Sequence, residues 1–284
     1  MSSSKSELTV APTQGASRAG RNLVAATAVG LVLAALVLGS LFVRKELFVG
    51  LVVVVVALAI WELAGALAAG GPRVPAVPII IGSAAMLVAA YASGAQGLLV
   101  ATAVTVLVLF VWRMPTGAAG FVRDISAGVF TVLYVPLLAG FAMLMLRPDD
   151  GPSRVLVFLI VTACSDIGGY AVGATLGRHP MAPAISPRKS WEGFAGSVIA
   201  CALGGALALV LLLDGQWWQG VLVGLAAVCT ATLGDLAESM IKRDLGIKDM
   251  GSLLPGHGGI MDRLDSLLPT APVAYALLAV FVAA

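Results

Sequence analysis

Long runs of apolar residues, separated by short polar loops, dominate the chain after residue 21. The runs are about 17–25 residues long, the length a helix needs to cross a hydrocarbon core of about 30 Å. Backbone groups in the bilayer must be bonded within their own segment, which favours helices. The pattern predicts an all-α, polytopic membrane bundle of nine helices, at residues 22–43, 47–70, 76–92, 97–112, 124–146, 154–176, 193–213, 218–242 and 263–283.

Composition excludes a soluble globular domain. Of 284 residues, 60% are hydrophobic and only 11% are charged, too few charges to cover a soluble surface. Residues 1–21 are polar and small and are expected to form a disordered cytoplasmic tail. Pro136 predicts a kink in the fifth helix.

The distribution of Lys and Arg predicts the orientation in the membrane. With the N-terminus in the cytoplasm, 13 of the 17 Lys and Arg residues fall on the cytoplasmic side, and the outer loops hold only Arg44, Lys45, Arg147 and Arg154. This asymmetry is typical of inner-membrane proteins. An odd number of spans then places the C-terminus outside, and loops 177–192 and 243–262 in the cytoplasm.

Acidic residues within apolar segments concentrate in the second half of the chain. Glu62 is the exception, and its position suits either an internal hydrogen-bonding group or part of a polar cavity. Charges at membrane depth are costly and usually mark a functional site. We therefore divide the bundle into a transmembrane scaffold half, 22–153, and a catalytic half, 154–284.

The segment from Asp235 to Asp265 holds the largest group of candidate functional residues. Asp235, Glu238, Ser239 and Lys242 are spaced to share one helix face. The segment holds six acids and four bases, a net charge of −2, which would repel a polyphosphate unless one or two divalent cations were bound. Oxygen ligands without a Cys or His cluster favour Mg²⁺, the arrangement used in phosphoryl and nucleotidyl transfer.

Two loops add basic and glycine residues to this segment. Gly256, Gly258 and Gly259 flank His257, where glycine allows backbone N–H groups to approach a phosphate. In the other loop, Ser186-Pro187 would suit a helix cap, but a cap does not explain the bases beside it. Asp166 is expected either to pair with one of those bases or to face the site. The candidate substrate-binding residues are Asp166, Ser186, Arg188, Lys189, Ser190, Glu192, Arg243, Asp249, His257, Gly258, Gly259 and Arg263.

The stretch from Ser239 to Asp265 resembles the signature of the phosphatidate cytidylyltransferase (CDP-diglyceride synthetase) family over its whole length, with its Lys-Arg, Lys-Asp, His-Gly-Gly and Asp-Arg-x-Asp elements. The stretches 185–193 and 166–170 are also similar to motifs of that family. The resemblance covers roughly residues 160–270. The first half matches only in being hydrophobic.

The resemblance implies an enzyme of phospholipid biosynthesis, a nucleotidyltransferase that joins CTP to phosphatidic acid and gives CDP-diacylglycerol and pyrophosphate. It implies a homodimer, Mg²⁺ at Asp235 and Asp262, with two cation sites expected, and no nucleic-acid partner. It also implies catalytic roles for Asp235, Ser239, Lys242, Lys248, Asp262 and Asp265.

Two other classes remain as alternatives. A CDP-alcohol phosphatidyltransferase would use CDP-diacylglycerol, but its acidic motif, two aspartates after DGxxAR, does not occur in this sequence. A polytopic transporter would spread its charged residues over both halves of the chain. Here the acids concentrate in one half, which favours the transferase.

Overall fold

The computed structural model describes residues 16–251, 253 and 258–282, and side chains from residue 30 onward. Helices account for nearly all of it, as the apolar runs predict. The helices are α1 Ala16–Val43, α2 Lys45–Ala69, α3 Ala76–Arg113, α4 Phe121–Val132, α5 Leu138–Leu146, α6 Gly151–Leu176, α7 Trp191–Leu213, α8 Trp217–Asp244, α9 Met261–Leu264 and α10 Leu267–Phe281. Seven helical segments in this part of the chain are long and apolar enough to cross a membrane.

The third and fourth predicted spans form one element, α3, which reverses direction at Gly94. Gly94 has φ 72° and ψ −154°, outside the helical region, and glycine adopts this conformation at little cost. The two arms, 76–93 and 95–113, lie side by side. They approach so closely that a Cβ atom on Gly82 would collide with Thr105. α3 is therefore a hairpin of two antiparallel helices.

The segment 121–146 departs from a regular α-helix at Pro136. A π-helical stretch, Leu133–Leu137, contains Pro136 and joins α4 to α5. Proline removes a backbone donor, and a wider turn accommodates the loss. The irregularity therefore lies where the sequence predicts a kink.

Contacts between the loops show which of them lie at the same end of the bundle. At one end, Lys45 donates to the Pro148 carbonyl, Gly94 lies against Arg147, and Arg154 Nη2 lies 3.2 Å from the Val282 carbonyl oxygen.

At the opposite end, the Arg73 backbone N–H donates to Asp124 Oδ1 at 2.9 Å. Arg113 Nε donates to Asp124 Oδ2 at 2.9 Å. Arg243 Nε lies 3.3 Å from the Ile185 carbonyl oxygen. A Cβ atom on Gly70, three residues before Arg73, would lie 2.8 Å from Leu245 Cδ2, directly after α8. The loops that follow α6 and α8 therefore lie at the same end as Arg73 and Arg113.

One small β-hairpin departs from the all-α prediction. Strands β1, Pro180–Ala182, and β2, Ser186–Ser190, pair antiparallel between α6 and α7. Ser186 and Pro187 lie in β2, so the expectation that they cap a helix is wrong. Ser190 caps α7 instead, and its Oγ accepts a hydrogen bond from the Gly193 N–H at 3.1 Å.

Candidate functional site

Two adjoining cavities open where the β-hairpin covers the ends of α6, α7 and α8. We call them the carboxylate cavity, of about 360 Å³, and the basic cavity, of about 320 Å³. Arg188 of β2 lines both of them. One side chain is thus placed to contact ligands in either cavity.

The carboxylate cavity lies between α6, α7, α8 and the start of the last span. The sequence-predicted residues that line it are Asp166, Arg188, Lys189, Ser190, Asp235, Asp262, Arg263 and Asp265. The set contains four acids, three bases and one serine, so its formal charge is −1. Tyr170 and Phe194 give the same cavity an apolar wall.

Close packing of α6 on α7 brings Asp166 to this cavity. A Cβ atom on Gly168 would lie 2.7 Å from the Gly196 carbonyl oxygen, so the two backbones touch. Ser197 Oγ donates to the Ser165 carbonyl at 2.6 Å and fixes the register. Of the two roles expected for Asp166, the structure has it facing the site, with the Ser266 hydroxyl 3.3 Å from its Oδ2.

Packing of α8 on the last span brings Asp235 to Asp265. Gly234 lies directly against the backbone of Asp265, and a Cβ there would come within 2.8 Å of Pro269 Cγ. Asp235 and Asp265 consequently line the same cavity from two neighbouring helices. Lys189, from the β-hairpin, forms an ion pair with Asp235.

Lys242 joins α8 to the opposite side of the site. Its Nζ donates to Asp262 Oδ1 at 2.9 Å and lies 3.3 Å from Glu238 Oε1. Glu238 is fully buried, so Lys242 supplies a nearby positive charge that a buried carboxylate requires. The shared helix face is therefore divided: Asp235 faces the carboxylate cavity, while Lys242 and Ser239 face the basic cavity.

Asp262 also organises the loop before it. Its Oδ2 accepts hydrogen bonds from the Gly259 N–H at 2.8 Å and from the Met250 N–H at 3.1 Å. The two ends of the glycine-containing loop therefore converge on one carboxylate. Gly258, with φ 78°, lies beside Asp262 and Asp249. His257 lies outside the described residues.

The basic cavity gathers the remaining candidates. It is lined by Ile185, Ser186, Pro187, Arg188, Ser239, Lys242, Arg243, Lys248 and Asp249. Four bases against one acid give this set a formal charge of +3. Clustered Lys and Arg side chains with hydroxyl donors suit a polyphosphate.

Glu192 lines neither cavity. Its Oε2 accepts hydrogen bonds from the backbone N–H groups of Arg178, at 3.1 Å, and His179, at 3.2 Å, and its Oε1 contacts the His179 ring. These bonds fix the point where the chain leaves α6 and enters the β-hairpin. Glu192 thereby holds the hairpin that carries Arg188 and Lys189.

The donor set of the carboxylate cavity suits Mg²⁺. In residues 16–251, 253 and 258–282, no three His, Cys, Asp or Glu side chains form a metal-binding cluster. Mg²⁺ is commonly held by one or two carboxylates together with substrate phosphates and water. Asp235 and Asp262 both line the cavity and offer only hard oxygen ligands, which fits that mode of binding.

Two polar residues beside the site are not in the predicted set of site residues, although the sequence singled out Glu62 as an internal hydrogen-bonding group or part of a polar cavity. Glu62, on α2, accepts a hydrogen bond from the Met261 N–H at 2.9 Å, and its isolation in an apolar span was the only signal. Ser266 lies between Asp166 and Asp265, and its hydroxyl oxygen is 3.4 Å from Asp265 Oδ1. Nothing in its sequence position distinguishes Ser266 from a helix-start serine.

A polytopic helical bundle with acidic and basic cavities side by side at one end suits a membrane protein that handles phosphorylated ligands. Residues 24–281 match the model of the cytidylyltransferase family. The chain belongs to the cytidylyltransferase family.

Phosphatidate cytidylyltransferases of other organisms match this chain over half of its length or more. The chain is 41% identical to the phosphatidate cytidylyltransferase of Mycobacterium leprae over 282 residues, covering 94% of this chain and 90% of the relative. It is 41% identical to that of Mycobacterium tuberculosis strain H37Rv, covering 94% and 85%. The phosphatidate cytidylyltransferase of Synechocystis is 43% identical over 150 residues, half of each chain.

Proposed function

We propose that this chain is a nucleotidyltransferase that converts CTP and phosphatidic acid to CDP-diacylglycerol and pyrophosphate. The observation that carries the proposal is the contact between the two cavities at Arg188. The basic cavity suits the β- and γ-phosphates of a nucleotide. The carboxylate cavity, with Tyr170 and Phe194 on its wall, suits a lipid phosphate once bound cations offset its formal charge of −1.

The reaction follows from this arrangement without a strong general base. The phosphate of phosphatidic acid is largely ionised near neutral pH, so one of its oxygens can attack the α-phosphorus of CTP directly. The bond from the α-phosphorus to the bridging oxygen breaks, and pyrophosphate leaves with the electron pair. Arg188, Lys242 and Lys248 neutralise charge on the phosphates as they approach and separate.

Asp235 and Asp262 would hold Mg²⁺ ions at two cation sites, which supply positive charge to the phosphate oxygens when bound. Lys189 and Lys242 now contact these carboxylates. Each lysine would turn from its carboxylate to a phosphate when the substrates enter.

We also propose nine membrane crossings, a cytoplasmic N-terminus and site, and an outer C-terminus. The reversal of α3 at Gly94 supports nine crossings, because each arm is long enough to span the bilayer. The bias in Lys and Arg supports the orientation. A homodimer rests on the resemblance to the family. It is tested by determining the mass of the protein in lipid nanodiscs.

The proposed reaction is tested with purified protein, phosphatidic acid vesicles, Mg²⁺ and CTP labelled at either the α- or the γ-phosphate. We expect the α label in the lipid and the γ label in pyrophosphate, in equal amounts. Asp235→Asn and Asp262→Asn should abolish both products while the protein stays folded.

Release of CMP from CDP-diacylglycerol, without pyrophosphate formation from CTP, would instead identify a CDP-alcohol phosphatidyltransferase. Uptake of labelled substrate into sealed vesicles, without turnover, would identify a transporter. Near-normal turnover of either Asp variant at saturating Mg²⁺ would remove that residue from the metal assignment.

A further inference from the structure

Glu62 is a buried carboxylate in the half of the chain that carries no motif. It lies on α2 with 6% of its surface exposed. Its Oε2 accepts the Met261 backbone N–H at 2.9 Å, across 199 residues of sequence. The first half of the bundle therefore contacts the residue next to Asp262 directly.

The loop around the glycine motif is built to admit this carboxylate. A Cβ atom on Gly259 would lie 2.6 Å from Glu62 Oε2 and 2.8 Å from the Gly251 backbone nitrogen. A Cβ on Gly251 would collide with Glu62 Oε1. The carboxylate thus lies against both ends of the loop at the point where they meet, and any side chain at either glycine would displace it.

Glu62 and Asp262 hold the same loop from two sides. Asp262 accepts the N–H groups of Gly259 and Met250, whereas Glu62 accepts that of Met261. Because Met261 directly precedes Asp262, the Glu62 bond fixes the backbone from which the Asp262 side chain extends. A shift of about 1 Å in a reacting group can lower a rate by about 100-fold.

The cost of burying Glu62 argues against a role in packing alone. Its Oε1 has no hydrogen-bond partner among the residues that the structure describes. A buried polar atom without a partner destabilises the fold. An apolar side chain at this position would avoid that cost, but it would leave the buried Met261 N–H without its acceptor. The carboxylate is therefore explained by this hydrogen bond and not by packing.

We propose that Glu62 is a positioning residue that sets the place of Asp262 and of the neighbouring backbone at Gly251 and Gly259 during nucleotidyl transfer. The proposal rests on the proposed function. The position of the Glu62 oxygen matters more than its charge, because the contact is a single hydrogen bond from the Met261 N–H, which requires an acceptor at the right distance.

Two substitutions separate placement from charge. Glu62→Gln removes the charge but keeps an oxygen that can accept the Met261 N–H. Glu62→Asp keeps the charge but is one methylene too short to reach it. The matched controls are Glu46→Gln and Glu46→Asp, at the other end of α2, where the Glu46 carboxylate contacts Tyr91.

The measurements are kcat and KM for both substrates, the melting temperature in one detergent, and hydrogen exchange of the peptide that contains Met261. We expect Glu62→Gln to keep kcat within about fivefold of the unmodified protein. Glu62→Asp should lower kcat by about 30-fold or more, with KM changed less than about threefold and faster exchange at Met261. The Glu46 variants should change none of these.

Three outcomes would overturn the proposal: both Glu62 variants near the unmodified rate, both equally impaired, or Glu62→Asp active and Glu62→Gln inactive. Unchanged exchange in Glu62→Asp would also overturn it. If the unmodified protein makes no CDP-diacylglycerol, the proposed function fails, and exchange at Met261 still tests whether Glu62 holds the loop.

Discussion

Lys242 forms ion pairs with two carboxylates at the site. Lys242 contacts Asp262 and the buried Glu238, so it stabilises the protein as well as lining the basic cavity. Arg123 lies at the same end of the bundle, but 57% of its side chain is exposed and it reaches Asp124 only at 3.5 Å. Lys242 and Arg123 therefore allow a basic residue within the site to be compared with one outside it.

Lys242→Ala should lower kcat/KM by about 30- to 1000-fold, corresponding to roughly 2–4 kcal/mol of transition-state stabilisation. Arg123→Ala should change it by less than about fivefold, since an exposed ion pair contributes little. Both rates are measured with equal amounts of folded protein in the same lipid. Equal losses would mean that both residues act only through the overall positive potential at this end of the protein, and not through a specific contact with substrate.

Among the elements, the contact between α8 and the last span determines the spacing of the acids. Gly234 allows the backbone of α8 to reach Asp265, and the Thr230 and Thr270 hydroxyls meet at 3.0 Å one turn further along. Asp235 and Asp265 are neighbours because of this packing.

Gly234→Ala should separate the two helices and lower kcat by about tenfold or more. Overpacking of this kind costs roughly 1–3 kcal/mol of stability, so the melting temperature should also fall. Gly50→Ala on α2 is the control, because a Cβ there meets nothing within 4 Å and alanine favours a helix. A Gly234→Ala protein as active as Gly50→Ala would show that the spacing of Asp235 and Asp265 does not limit the reaction.

Elements with strong periodic or compositional signals could be predicted, and contacts between distant elements could not. Apolar length placed the helix ends within a few residues at Leu213 and Leu176. The β-hairpin was missed because its strands are short, and β2 consists of polar residues and a proline. Glu62 could be singled out as unusual, but its bond to Met261 depends on how α2 packs against the last span.

For the whole molecule, the bundle has a chemically distinct end. The loops around Arg113, Ile185 and Arg243 gather there with both cavities, while Lys45, Arg147 and Arg154 lie at the other end. This division agrees with the bias in Lys and Arg on which the proposed orientation rests.

Cysteines introduced at Ala184 and Asp149 test the orientation in intact cells. Both positions are exposed and lie at opposite ends of the bundle. An impermeant maleimide added outside should label Asp149→Cys and spare Ala184→Cys until the cells are opened. The unmodified chain, with its three cysteines, gives the background. Labelling of Ala184→Cys from outside would reverse the proposed orientation.

The two lysine–aspartate pairs have a thermodynamic consequence. Lys189 and Lys242 each form an ion pair with one of the two acids to which the proposed mechanism assigns Mg²⁺. A nucleotide that draws a lysine away exposes an acid, and a cation that captures the acid frees a lysine. The affinities of the two ligands are therefore linked, and by reciprocity CTP should tighten the binding of Mg²⁺ by the same factor as Mg²⁺ tightens the binding of CTP.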